Sequence, residues 1–185
     1  LAYSNWFITL CFIPFPFFAE EGFTRSEITL GSMLGVIFCV SQATCFLALR
    51  RGDASVATPI MGTKTLFVAL FGFFIYTKSL PDQTWLAAIL AVVAVVLLGW
   101  PAKGSTPSFL SMGLAVLTAA GFGLTDALVP EFAKADDVNP FNLLFLMILT
   151  VGVLSFLFIP MTRGRFLGWR GQADKWLVLG TIPMA

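Results

Sequence analysis

The sequence predicts an all-α fold, a polytopic transmembrane helical bundle, on three observations. It is 58% hydrophobic and 11% charged, against about 25% charge in an ordinary soluble domain. Its apolar residues fall in six runs near the ~17–25 residues that a spanning helix needs. Short polar breaks rich in turn residues separate these runs, so consecutive helices are expected to be antiparallel. The runs do not alternate between apolar and polar positions, as spanning β-strands would.

In chain order the first span is Leu1–Ala19, broken by Pro14 and Pro16. Ile28–Leu49 follows, with a Gly31/Gly35 GxxxG pair and a polar cluster of Ser41, Gln42 and Thr44. The third, Ala54–Tyr76, contains Pro59, which frees the carbonyl of Ser55 and favours a bend. Thr84–Trp100, Ser108–Pro130 and Pro140–Pro160 complete the six, and a seventh begins near Lys175. Gly121 and Gly123 open one surface of the fifth to close packing. The chain starts without Met and stops about ten apolar residues into the seventh run, so it reads as a fragment of a longer protein. Alternate breaks hold three basic residues on one side (Arg25, Lys78, Lys134) and seven on the other (Arg50, Arg51, Lys103, Arg163, Arg165, Arg170, Lys175). The richer side is expected in the cytoplasm.

Composition excludes several function classes. There is no histidine, which removes His-based catalysis, His metal ligation and a His proton switch. Cys11, Cys39 and Cys45 lie inside apolar runs without metal-ligand or disulfide-framework spacing, and read as small buried hydrophobes. No metal or cofactor is expected. A net charge of +1 gives no ground for nucleic-acid binding. No phosphate-binding GxxxxGK[ST] loop and no nucleophile–base set is present, so neither ATP hydrolysis nor an enzyme is expected.

Lys64 is the residue that stands out. It is the one Lys or Arg inside a span, and a cation at mid-membrane costs roughly 2.5–3.5 kcal/mol on insertion scales. At ~1.5 Å per residue it lies ~15 Å from the nearer helix end, too deep to snorkel, so it is expected to face protein, water or a ligand. Asp126 is the only acid inside a predicted span. Counted from the starts of their spans, however, the two charges differ in depth by ~12 Å, so they are not expected to pair, and Asp126 can equally serve as an interfacial polar group. Gln42 lies about as far before the Arg50–Asp53 turn as Lys64 lies after it, which makes it the expected neighbour, with Ser41 beside it. Interhelical hydrogen bonding accounts for Ser41 and Gln42 as well as ligand contact does. Phe67, three residues on, shares the face of Lys64 and is placed for a cation–π contact or plain packing. Lys64, Gln42, Asp126, Ser41 and Phe67 form the candidate substrate-binding set.

The segment ALRRGDASVATPIMGTKTLFVALFGFFIYTKSLPDQTWLAAILAVVAVVLLG resembles the EamA-type members of the drug/metabolite transporter superfamily. The shared pattern is an Ala-Leu helix end, a basic turn, Ala-Ser-x-Ala, a helix, a short break and an apolar helix closing in Leu-Gly. Where the family often carries Glu-Pro and, fourteen residues on, Glu-Arg-Leu, this chain has Lys64-Thr65 and Lys78-Ser79-Leu80. The resemblance implies a 5+5 inverted-repeat architecture of ten helices, with residues 1–104 holding the last four helices of the first repeat and 105–185 the first two to three of the second. It also implies a secondary transporter or exporter of a small organic metabolite, working by alternating access from a cavity between the halves. The expected partners are the lipid bilayer and that metabolite, with negative charge on the substrate or a coupled ion because Lys64 faces it. The expected location is the plasma (inner) membrane of a bacterium. The alternative is a non-transporting polytopic subunit or scaffold in which Lys64 is an assembly contact.

Overall fold

The structure is a computed structural model that describes residues 2–18, 22–52, 54–76, 82–98 and 108–156. Seven α-helices follow one another in these residues: α1 (Ala2–Phe12), α2 (Arg25–Arg51), α3 (Ala54–Gly62), α4 (Lys64–Ile75), α5 (Asp82–Leu98), α6 (Phe109–Phe132) and α7 (Pro140–Ser155). A 3-10 turn, Phe15–Phe18, succeeds α1. Its position matches the expected break, because Pro14 and Pro16 withhold the N–H groups that would continue the α-helical ladder. Among the described residues, three stretches are long and apolar enough to cross a membrane: Arg25–Arg51, Val56–Ile75 and Phe109–Phe132. Asn5–Phe17, Asp82–Val95 and Pro140–Ser155 are shorter apolar helical segments. The seventh run and the Arg163–Arg170 break lie outside the described residues.

The chain forms two compact units, Leu1–Cys39 with Ala133–Ala185, and Val40–Phe132. In the first, α7 runs antiparallel to α1 and parallel to the opening half of α2. Asn5 donates to Ser155 Oγ at 2.7 Å, and Thr9 Oγ1 donates to the carbonyls of Asn5 and Ile148. Gly31 and Gly35 pack on α7: a methyl at 35 would lie 2.6 Å from Thr150 Cβ and 2.7 Å from the Met147 carbonyl oxygen. Backbone cannot rotate aside, so Gly35→Ala is expected to destabilise this unit by about 1–3 kcal/mol, measured by thermal unfolding in detergent. Gly22→Ala, where a methyl meets nothing within 4 Å, is its control.

Glu27 is the unforeseen feature of this unit. It precedes the Ile28–Leu49 run and so falls outside every predicted span, yet it lies in the first turn of α2 and is 1% exposed. Thr24 and Glu27 make a reciprocal capping box, in which the Thr24 N–H donates to Glu27 Oε2 at 2.8 Å and the Glu27 N–H to Thr24 Oγ1 at 3.2 Å. The same carboxylate accepts the Asn139 N–H at 2.7 Å and the Asn142 side-chain amide at 3.2 and 3.3 Å. Asn139 is itself the N-cap of α7, accepting from the Phe141 N–H, with Pro140 in the first turn. One carboxylate thus ties together two helix N-termini, where the backbone dipoles favour negative charge.

The second unit comprises the closing half of α2 with α3, α4, α5 and α6. Ser41, Thr44 and Ala48 form the α2 seam that faces α6. Thr44 Oγ1 and Thr118 Oγ1 are hydrogen-bonded at 2.9 Å, Ser111 Oγ donates to the Ala48 carbonyl at 2.8 Å, and Ser41 lies against Gly121. Falling numbers on α2 meet rising numbers on α6, so these two are antiparallel. Gly62 of α3 packs on Val95 of α5, and Phe73 of α4 meets the Trp85 ring edge-on.

Candidate functional site

The expected single helix from Ala54 to Tyr76 is interrupted at Thr63, one residue before Lys64. Thr63 takes φ −69° and ψ 2°. Its N–H and its hydroxyl both donate to the Ile60 carbonyl, at 3.0 and 2.7 Å, and the Leu66 N–H donates back to Thr63 at 3.0 Å. These bonds reach three residues back rather than four, so the chain tightens locally into a 3-10 turn. The break comes one turn beyond the bend expected from Pro59, at the residue whose own hydroxyl competes for a backbone carbonyl.

Lys64 Nζ lies 3.0 Å from Asp126 Oδ2. This corrects the expectation that depth keeps the two charges apart, and the register of α6 explains why. Ala54 and Ser108, the starts of the two runs, are not level. In the fold Gly52 rests on Ser111, and twelve residues further along both segments Lys64 rests on Gly123, with Phe67 three residues beyond it on the same glycine. Helix α6 therefore starts about five residues before the level of Ala54, and the remaining offset between the charges is ~4.5 Å. Lysine and aspartate side chains together span that gap. Gly123 and Asp126, three residues apart, present the same face of α6 to α4.

Both charged side chains are about half exposed, Lys64 at 48% and Asp126 at 43%. Proline at 130 lies inside α6 and brings no N–H, so the Asp126 carbonyl loses its usual helical donor. One residue on, the Ala127 carbonyl accepts from Tyr76 Oη at 3.1 Å, which ties the end of α4 to α6. The pair therefore sits where each of its helices departs from a regular ladder, at Thr63 on one side and at the Asp126 carbonyl on the other.

The other expected residues divide. Cys45 Sγ lies 3.6 Å from Met61 Sδ across the α2–α3 turn. The same antiparallel register brings Gln42, half-buried one turn before Cys45, to the level of Lys64. Ser41 is buried in the α2–α6 seam. Phe67 stacks on Phe71 with centroids 6.2 Å apart and turns its Cβ toward Gly123. Cys39 is buried and Cys45 partly so, but Cys11 is exposed, contrary to expectation, because α1 turns that position away from α7. Among the described residues no group of three or more Cys, Asp or Glu is arranged to hold a metal ion.

A family model, the EamA-like transporter family, matches residues 1–100, more than half of the chain. The chain belongs to the EamA-like transporter family. It is accordingly an integral membrane protein of the drug/metabolite transporter type, as the resemblance of Ala54–Gly99 implied. None of the curated proteins or solved structures compared with this EamA-like chain matches it. The matched segment carries Lys64, Gln42, Ser41 and Phe67, whereas Asp126 lies beyond it. The acid that completes the pair is thus one that the family match does not reach. The sequence signal available for it was the rarity of a carboxylate inside an apolar run.

Proposed function

We propose that the protein is a secondary transporter that moves a small organic metabolite across the plasma membrane of a bacterium by alternating access, with the Lys64–Asp126 pair in its substrate site. The observation that carries this reading is an ion pair, half exposed, between Val56–Ile75 and Phe109–Phe132, two stretches long enough to span a membrane, in a chain of the EamA-like family. Ionisable groups inside spans are expensive, face a cavity or the protein interior, and mark solute paths. In this reading the six apolar runs all span, with a seventh begun near Lys175. The family match ends at residue 100, in the break before α6, which supports assigning 1–104 to one repeat of a 5+5 fold and 105–185 to the start of the next. The pair would then join the two repeats, the position at which transporters of inverted-repeat design bind substrate.

An anionic group on the substrate engages Lys64 by taking the place of the Asp126 carboxylate, with Gln42 and Phe67 beside it. Flux into proteoliposomes of a panel of labelled organic anions, cations and neutral metabolites tests the reading. Transport of at least one anion by the parent chain, lost on Lys64→Met and changed in affinity by Lys64→Arg, is the expected result. Transport that is indifferent to both substitutions would remove Lys64 from the site.

A further inference from the structure

We propose that Gly123 is a positioning residue of this site, the point at which α6 lets α4 approach closely enough for Lys64 to reach Asp126. The inference rests on the reading of the pair as the substrate site, but its geometry stands apart from transport. Among the helix pairs of the second unit, α4 and α6 share a particularly extensive contact, and Gly123 is buried within it. A methyl group at 123 would lie 2.6 Å from Phe67 Cβ, 3.1 Å from the Lys64 carbonyl oxygen and 3.1 Å from the Val68 N. Two of those three atoms are backbone and the third is fixed to it, so no rotamer change relieves the clash and the helices must separate.

The separation falls on the pair itself. Lys64, whose carbonyl meets the methyl, carries the ammonium, and Asp126 follows Gly123 by three residues on the same face. At 3.0 Å the pair sits at hydrogen-bonding distance, and a shift of about 1 Å takes it outside that range. At Thr63 the α-helical ladder between α3 and α4 gives way to a 3-10 turn, the point about which α4 would tilt away from α6. Gly121, two residues earlier, makes its own close approach to Ser41 of α2. Of these two glycines of α6, Gly121 faces α2 and Gly123 faces the helix that carries Lys64.

The test links the two positions chemically. In the full chain with Cys11, Cys39 and Cys45 replaced by serine or alanine, Lys64→Cys and Asp126→Cys are joined in membranes by a short bifunctional methanethiosulfonate. Adding Gly123→Ala is expected to slow linking at least tenfold, whereas Gly113→Ala, where a methyl meets nothing within 4 Å, leaves the rate unchanged. Linking at the parental rate with Gly123→Ala overturns the proposal. Should that chain fail to accumulate, Phe67→Gly with Gly123→Ala moves the clashing carbon to the other helix. The 2.6 Å contact is then gone and the two backbone contacts at 3.1 Å remain, so linking slower than the parent's but faster than about one tenth of it is expected, and linking at the parental rate or a complete failure to link overturns the proposal. Flux separates this from the site reading. Gly123→Ala reproduces the effect of Lys64→Met and adds nothing to it in combination, whereas a silent Lys64→Met removes the site reading and leaves the linking result standing.

Discussion

Asp126→Asn is expected to lower transport at least tenfold, ~1.4 kcal/mol or more in transition-state terms, while moving thermal stability little. Both members of the pair are about half exposed. A pair that faces a water-filled cavity contributes only ~0–1 kcal/mol to stability, because solvent screens it. The orphaned Lys64 would then remain hydrated, but Asp126 would no longer hold it in place for an incoming anion. If the pair faced lipid instead, the same substitution would strand a cation in the span at roughly 2.5–3.5 kcal/mol. The double variant Lys64→Met/Asp126→Asn separates the cases, since it removes both charges and restores neutrality. Flux and the unfolding midpoint, measured on the same proteoliposome preparations, decide between them. A stability loss near 3 kcal/mol, recovered in the double variant and accompanied by undiminished flux, would make the pair an assembly contact and favour a scaffold over a transporter.

Glu27→Ala carries the second large effect, this time on folding. The substitution strips the acceptor from the N–H groups of Thr24 and Asn139 and from the amide of Asn142, in a site that is 1% exposed. An unsatisfied buried donor costs about 1–3 kcal/mol, so a total loss on the order of 3 kcal/mol or more is expected, with the first turns of α2 and α7 fraying together. Glu27→Gln keeps one acceptor oxygen but turns an NH2 group toward donors, so an intermediate loss is expected. Hydrogen exchange at Phe141, Asn142 and Leu143 in the purified protein reads the effect on α7 directly. Glu27→Ala with unchanged protection in α7 would mean that Asn139 and Pro140 cap that helix unaided.

The two acids were legible in the sequence to different degrees. Thr24-Arg25-Ser26-Glu27 ahead of an apolar run carries the capping-box spacing, so the helix start at Arg25 was open to local reading. The second role of Glu27 was not, because Asn139 and Asn142 approach from more than a hundred positions away. Lys64 stood out from composition alone, since a cation in an apolar run must be compensated wherever the run goes. Its partner escapes any count of depth from the ends of the apolar runs. Those ends follow hydropathy, whereas stagger follows packing. The depth of Gln42 is counted across a connection of only two residues between α2 and α3, which leaves less freedom of register than the stretch containing α5 that separates α4 from α6.

Local chemistry therefore determined, from the sequence alone, that the chain is helical and membrane-embedded, that the proline pair ends α1, and that Lys64 is the charge to be explained. It also carried the family resemblance, in the segment from Ala54 to Gly99. Tertiary structure alone decided which charge answers Lys64 and how closely. That choice depends on the stagger of α6 against α4, helices separated in sequence by α5. The stagger is set where Ser111 meets Gly52 and Gly123 meets Lys64 and Phe67. Close packing of small residues fixes such a register to within a residue, and neither hydropathy nor periodicity records it.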